Sequence, residues 1–275
     1  MIDIGKIQRL QVIDRVDFGL YLNAGDEGRI LLPNRDVPPD CKVGQWLDVF
    51  VYLDSEDRII ATTATPPIQV GQCAWLEVVQ INDIGAFVDW GLPKNLFVPY
   101  AEQRWRMHVG RSYVVAAFVD NTGRIAASTK LRRHLGEPPS AWEVGQEVDL
   151  LVASHTDLGY EVVVEDTCLG LIFDGDALKP LRLGQRLRGT IKTIRPDGKI
   201  DLALQRHDKA AKRELADEIL QRLKDQGGSL DLTDKSTPEA VYAAFGVSKK
   251  VYKKALGGLF KLKKIVIEPD RIRLP

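Results

Sequence analysis

The sequence is poor in the residues that build metal sites and covalent chemistry. Its 275 residues include three cysteines and four histidines. Cys41, Cys73 and Cys168 are odd in number and share no metal-ligand spacing, which predicts free thiols in a reducing compartment. His108, His134, His155 and His207 are scattered, so no zinc site is expected, and no cofactor. No apolar run approaches the roughly 20 residues that a membrane span needs. The N-terminus, Met1-Ile2-Asp3-Ile4-Gly5-Lys6, lacks a basic region followed by an apolar core, so no signal peptide is expected and the cytoplasm is the expected location. Hydrophobic residues at 44% and charged residues at 28% are ordinary for a soluble globular chain.

Net charge is absent too, with 38 Lys+Arg against 38 Asp+Glu. The zero hides an asymmetry. Residues 1–205 carry 22 basic and 28 acidic side chains, a balance of −6, and residues 206–275 carry 16 and 10, a balance of +6. A polyanion would therefore meet the C-terminal part first.

What the sequence has is a repeat. Moving the first copy forward by 66 places Gly5 on Gly71, Gly19 on Gly85, Pro33 on Pro99 and Gly44 on Gly110. Moving it by 140 places Gly5 on Gly145, Gly19 on Gly159 and Gly44 on Gly184. Three copies result, at residues 1–64, 68–130 and 144–205, followed by a different segment at 206–275. In copy two, Cys73, Trp75, Glu77, Val79 and Ile81 alternate with Ala74, Leu76, Val78 and Gln80, as in a strand. Asn82-Asp83 is a turn signal, Gly85 to Trp90 a second strand and Asn95 to Val98 a third. Tyr100 to Met107 has room for a short helix, and Arg111–Val119 and Arg124–Ser128 flank the turn Asp120-Asn121-Thr122-Gly123. Five short strands in about 60 residues predict a small closed barrel of the OB type, whose face over strands two and three binds oligonucleotides. A glycine inside a strand marks a bulge or a sharp bend, which such a barrel needs to close.

Ile84-Gly85-Ala86-Phe87-Val88, Leu96-Phe97-Val98-Pro99, Val109-Gly110-Arg111 and Asp120 to Ile125 resemble the S-one RNA-binding repeat, an OB-fold. The resemblance implies that aromatics around the glycine of strand two, and an Asp and an Arg around the last turn, face single-stranded RNA. Copy one offers Phe18, Tyr21, Asp54 and Arg58. Copy two offers Phe87, Asp120 and Arg124, with Ile84 in place of the first aromatic. Proline (Pro33, Pro99) stands where the family often has histidine. Copy three has Leu158 and Glu161 at the aromatic positions, with Phe173, Arg195 and Lys199 beyond. A carboxylate on that face would repel phosphate, so copy three reads as a structural module. Leu20 and Leu22 flank Tyr21, so alternation turns Tyr21 outward, and the same argument is weaker for Phe87 between Ala86 and Val88. Trp105, between Arg104 and Arg106, is expected to plug a barrel end, with an RNA surface as the other reading. Trp46, Trp75 and Trp142 are expected to be packing residues, and Trp90 is open.

Beyond Gln205 the hydrophobic period becomes helical. Ala211, Leu215, Ile219 and Leu223 stripe a helix from Asp208 to Gln226, stopped by Gly227-Gly228. Leu230 to Leu232 suggests a short strand. Thr237 and Pro238 begin a second helix that ends at Gly246. Ser248 is placed to cap a third, from Lys249 to about Phe260, and a hairpin closes around Glu268-Pro269-Asp270. This order makes a winged helix. Lys249, Lys250, Lys253 and Lys254 lie on its candidate recognition helix, and Lys261, Lys263, Lys264, Arg271 and Arg273 in or near the wing, as phosphate contacts to duplex or single strand.

The whole chain is thus predicted to be mainly β, with three tandem five-stranded OB barrels followed by an α/β winged helix. That order resembles the bacterial CvfB/YitL family (conserved virulence factor B), which implies RNA binding in the control of gene expression. The expected partner is single-stranded RNA, with duplex nucleic acid a second partner for the winged helix, and neither a membrane nor a small-molecule substrate. Two other readings compete. A DNA-binding transcription regulator would read duplex bases, yet the recognition helix is lysine-rich and lacks the Arg, Asn and Gln of base-edge contacts. A nuclease would need a catalytic domain and a carboxylate cluster, and no stretch remains for them.

Overall fold

The computed structural model describes residues 2–177, 180–247 and 249–275, with the side chains of residues 205–214 outside that description. The chain forms two compact units, residues 1–137 with 166–169, and residues 138–165 with 170–275.

In the first unit, β1 (Ile7–Val16), β2 (Gly19–Asn23), β3 (Arg29–Pro33), β4 (Trp46–Leu53) and β5 (Ile59–Thr62) make barrel 1. Barrel 2 is β6 (Cys73–Ile81), β7 (Gly85–Val88), β8 (Leu96–Pro99), β9 (Ser112–Val119) and β10 (Ile125–Ser128). Barrel 3, which belongs to the second unit apart from Cys168 and Leu169, is β11 (Glu147–Thr156), β12 (Gly159–Val164), β13 (Cys168–Phe173), β14 (Arg186–Ile194) and β15 (Ile200–Ala203). Each barrel is closed in the same order: first strand, second, third, fifth, fourth. The third and fifth strands run parallel, as at Leu31 and Ile60.

The repeat in the sequence is a repeat of hydrogen bonds. Register slips by one residue at Val12/Asp14, Val78/Gln80 and Val152/Ser154, so the bulge recurs in every first strand. At each bulge the valine carbonyl accepts from a glycine N–H at 2.8 Å, from Gly44, Gly110 and Gly184 in turn. The bulges therefore lie at valines and not at the strand glycines. Gly19, Gly85 and Gly159 do other work, opening the second strand where it crosses the third. A Cβ there would fall 2.2 Å from the Leu32 carbonyl oxygen, 2.4 Å from that of Val98 and 2.2 Å from that of Ile172. Only a residue without a side chain allows that approach.

Barrel 1 fills with Val12, Leu20, Leu22, Ile30, Leu32 and Val51. Its Phe50, Tyr52 and Ile60 belong to a second core, shared with Val78, Val88, Trp90, Val98 and Met107 of barrel 2. Trp90 stands edge-on to Phe50 at 5.7 Å and donates its Nε1–H to the Lys94 carbonyl at 2.6 Å, which settles it as a packing residue. Three other tryptophans depart from expectation. Trp46, Trp75 and Trp105 are exposed, and Trp142 is half-buried. The expected helix over Tyr100–Met107 is only a 3-10 turn at Tyr100–Glu102. Gln103 stops it by turning inward, its Nε2 donating to the Val98 carbonyl at 3.0 Å.

The winged helix consists of α1 (Gln205–Asp225), β16 (Ser229–Leu230), α2 (Pro238–Phe245), α3 (Lys249–Lys261), β17 (Val266–Ile267) and β18 (Ile272–Arg273). Its sheet runs β16-β18-β17. Leu215, Ile219 and Leu223 of α1 pack on Val241, Val251, Leu256 and Ile272, while Ala211 of the expected stripe lies outside the described side chains. Thr237 caps α2 by accepting from the Ala240 N–H at 3.2 Å, and Gly246 ends it in the left-handed conformation. The expected cap at Ser248 lies outside the described residues.

Candidate nucleic-acid interface

On barrel 1, alternation along β2 turns Tyr21 outward between the fully buried Leu20 and Leu22. Phe18, in the preceding turn, is exposed and meets the Tyr21 ring edge-on at 6.3 Å. The cation against this pair is Arg29, 4.1 Å over the Tyr21 ring, and not Arg58. Arg29 opens β3 opposite Asn23. The alternation Arg29-Ile30-Leu31-Leu32, with Ile30 and Leu32 inside, is the sequence signal that would have found it.

On barrel 2, Ala86 and Val88 are fully buried and Phe87 points outward. It pairs across the sheet with Phe97, ring centroids 5.1 Å apart. Phe97 is half-buried between the buried Leu96 and Val98, and the same alternation argument identifies it. These rings line a cleft of about 330 Å³ between barrels 1 and 2, together with Tyr52, Asp57, Lys94 and Arg124.

Asp54 and Asp120 are turn holders. Asp54 accepts from the N–H groups of Glu56 at 2.8 Å and Arg58 at 3.0 Å, and from the Arg58 Nε at 2.9 Å. Asp120 accepts from the Thr122 N–H and hydroxyl, at 2.8 and 2.7 Å, and from the Arg124 N–H at 3.0 Å. Burial works to raise the carboxyl of Asp54. The Arg58 N–H and guanidinium and the Glu56 N–H outweigh it and hold the group below its ordinary value. Burial likewise opposes the shift of Asp120, and the Thr122 hydroxyl and the Arg124 and Thr122 N–H groups bring it down. Each aspartate thus fixes the turn that presents an arginine. Arg58 stays with its own turn, paired to Asp54 and Glu56. Arg124 crosses instead to Asp57 of barrel 1, where Lys94 also approaches at 3.5 Å. Lys94 further donates to the Asp54 carbonyl at 2.7 Å. Asp57 and Lys94 carry no motif signal, because their roles arise only when the two barrels meet.

In barrel 3 the equivalent position to Tyr21 and Phe87 holds Glu161, paired with Ser154. The sequence reading places this carboxylate on the open face. The structure buries it, with the Ser154 hydroxyl donating at 3.1 Å. All of β12 is buried, so a side chain here has no outward face to occupy. Leu158 is exposed, and Arg195 is held by both oxygens of Asp201, at 2.6 and 3.0 Å. Lys199 pairs with Asp197 at 2.8 Å, and Phe173 has the Arg195 guanidinium 5.9 Å from its ring.

In the winged helix, Val251, Tyr252, Ala255, Leu256 and Leu259 bury one side of α3. Lys250, Lys253, Lys254, Gly258 and Lys261 are exposed on the other. Lys250 reaches back to Gly175, beside the third strand of barrel 3, and Lys253 pairs with Asp234 at 3.3 Å. Lys249 donates to the Lys235 carbonyl at 3.3 Å. Lys263 and Lys264 are exposed at the C-terminal end of α3. Arg271 and Arg273 are engaged by Glu268, at 3.5 and 2.6 Å. The exposed cations of this domain are therefore graded, with Lys254, Lys261, Lys263 and Lys264 standing clear of acids among the described residues.

Among the described residues no three His, Cys, Asp or Glu side chains group as metal ligands. The three cysteines form no disulfide and are buried, and burial pushes the Cys168 thiol up to about 11. No helix among the described residues is long and apolar enough to cross a membrane.

The S1 domain family model, that of the S-one repeat, matches residues 4–64 and 70–130, and the CvfB-like winged helix domain matches residues 217–274. YitL of Bacillus subtilis is 30% identical over 277 residues, which cover 96% of this chain and 91% of that one. The chain belongs to the CvfB/YitL family. Conserved virulence factor B of Staphylococcus epidermidis is 24% identical over 288 residues, covering 98% of this chain and 94% of its own. A solved multidomain protein with nucleic acid binding domains, from Streptococcus pneumoniae, is 26% identical with a TM-score of 0.43, covering 99% of this chain and 98% of that one. The matched families are nucleic-acid-binding modules and not catalytic domains, which supports nucleic-acid binding as the class of activity.

Proposed function

We propose that this protein binds single-stranded RNA on the outward aromatics of barrels 1 and 2 and uses the lysines of its winged helix as a second, electrostatic contact. The observation that carries the reading is the equivalence of Tyr21 and Phe87. Both project from the second strand of a closed barrel, each joined by a second outward ring, Phe18 or Phe97. Every base has a π-face, so such rings hold single strands with little sequence preference, at about 1–3 kcal/mol per stacked base. Arg29 beside Tyr21, and Lys94 and Arg124 beside Phe87, supply phosphate contacts of the kind that position a strand. Asp54 and Asp120 act by holding the turns of Arg58 and Arg124. Barrel 3 lacks an outward ring at the equivalent position and serves as a scaffold.

The protein acts in the cytoplasm, without catalysis, in post-transcriptional control of gene expression. The exposed side of α3 carries lysines, Gly258 and Phe260, and none of the Arg, Asn and Gln side chains that make bidentate contacts to base edges. This disfavours a sequence-reading transcription regulator. The double variant Tyr21→Ala, Phe87→Ala should bind a fluorescent single-stranded RNA at least tenfold more weakly in anisotropy titrations, with circular dichroism unchanged, by loss of about two stacked bases. Wild-type affinity in that variant would refute the assignment. Duplex DNA bound more tightly than single-stranded RNA at matched salt would favour the transcription reading instead.

A further inference from the structure

The connector Arg104-Trp105-Arg106 stands outside the face described above. We infer that it is a second stacking site for an unpaired base of a single-stranded nucleic acid, with Trp105 as the platform and Arg104 and Arg106 as phosphate contacts. The inference rests on the single-strand reading and extends it to a part of barrel 2 away from the strand-two face.

Trp105 is 56% exposed, although tryptophan buries more apolar surface than any other side chain when it packs. Looseness of the connector does not explain this. Gln103 on one side is buried and bonded to the Val98 carbonyl, and Met107 on the other is fully buried. The Met107 N–H donates to Gln103 Oε1 at 3.3 Å, and the Arg104 N–H donates to the Thr129 hydroxyl at 2.7 Å. Three residues are thus held between two fixed ones, and Trp105 is turned outward by that backbone.

Its ring is also prepared. The Arg104 guanidinium lies 4.3 Å over the indole, and that of Arg106 lies 5.0 Å over the Tyr100 ring. Tyr100 ties the connector to the turn before β7, its N–H donating to the Ile84 carbonyl at 3.3 Å and its hydroxyl to the Asn82 carbonyl at 2.6 Å. Ile84 is itself exposed, three residues before Phe87. Apolar and aromatic surface therefore runs from Phe87 through Ile84 and Tyr100 to the connector.

Charge selects the occupant. Between Ala101 and Arg111 stand Arg104, Arg106 and Arg111 against Glu102. The Glu102 carboxylate is engaged by His134 at 2.9 Å and by Arg133 at 3.4 Å. An aromatic ring set among arginines complements an unpaired base with its phosphates, and a paired base has no free π-face to offer.

The test uses the full chain labelled with 5-fluorotryptophan, whose five tryptophans give five fluorine resonances. That of Trp105 is assigned by its loss in Trp105→Phe. On titration with an unstructured RNA of about 12 nucleotides, the Trp105 resonance should move, and Trp105→Ala should weaken binding roughly fivefold to a hundredfold at unchanged melting temperature. Arg104→Gln and Arg106→Gln should each lower the slope of log affinity against log salt by about 0.7. RNA that binds in a Tyr21- and Phe87-dependent way while the Trp105 resonance stays fixed and Trp105→Ala keeps wild-type affinity would overturn this site and leave the proposed function standing. Absence of RNA binding by the wild-type protein would overturn both.

Discussion

Asp57 places a carboxylate against two cations that the proposed function assigns to phosphate. Arg124 and Lys94 both turn to it, and all three groups are partly exposed. An exposed ion pair contributes about 0–1 kcal/mol, so a polyanion can displace it. Asp57→Asn should therefore tighten single-stranded RNA binding severalfold and steepen its salt dependence, because two cations become available to phosphate. Stability should change by less than about 1 kcal/mol. Equal affinity and equal salt slope in the variant would show that the carboxylate does not compete. At this scale the sequence was legible wherever alternation applied, as at Tyr21 and Phe87. It misled where residue type was used in place of position. Trp75 shares a strand side with Glu77 and Val79, all of them exposed, so the alternation already placed it outside. The general tendency of tryptophan to be buried gave the opposite answer.

The turn between the last two strands is the element that links charge to fold. In barrels 1 and 2 an aspartate at its head accepts the N–H groups that close it, and these bonds keep Asp54 and Asp120 below the usual carboxylate range. A folded value below the unfolded one means that the stabilisation is complete above the unfolded pKa of about 4 and disappears as pH falls through the folded value. Melting temperature should thus fall on acidification below about pH 4. The double variant Asp54→Asn, Asp120→Asn should start lower at neutral pH and show a flatter acid limb. A limb of wild-type steepness in the variant would assign acid sensitivity to other carboxylates. The strand-opening glycines were legible as a register, but their role was not. A period of 66 or 140 residues identifies equivalent positions without saying that a carbonyl of the third strand lies against each one. Gly85→Ala would force the Val98 carbonyl aside and should lower the melting temperature. Gly110→Ala, in open space but at a left-handed turn, should cost only about 1 kcal/mol of backbone strain.

At the scale of the molecule, the three barrels and the winged helix follow from two things visible in the sequence, the recurring glycines and the change of hydrophobic period after Gln205. The joining of barrels 1 and 2 does not follow. The short linker Thr65-Pro66-Pro67 predicts that they are close. Nothing in the alternation says that Phe50, Tyr52 and Ile60 complete a core otherwise supplied by barrel 2. Phe50→Ala should cost about 3–5 kcal/mol and loosen both barrels together, because the cavity opens in the shared core. Hydrogen exchange that rises in β4 but stays unchanged in β7 and β8 would contradict a common unit.

That shared core also sets a schedule. When Ile60 leaves the ribosome, the side chains that cover Phe50 and Tyr52 have not yet emerged. The last of them, Ala117 and Ala127, follow after roughly 65 more residues, several seconds of synthesis at about 5–20 residues per second. For that interval barrel 1 has its own interior, Val12, Leu20, Leu32 and Val51, but a bare aromatic flank. The nascent chain is most vulnerable to association there, and slowing translation between Thr65 and Ala127 would lengthen that exposure.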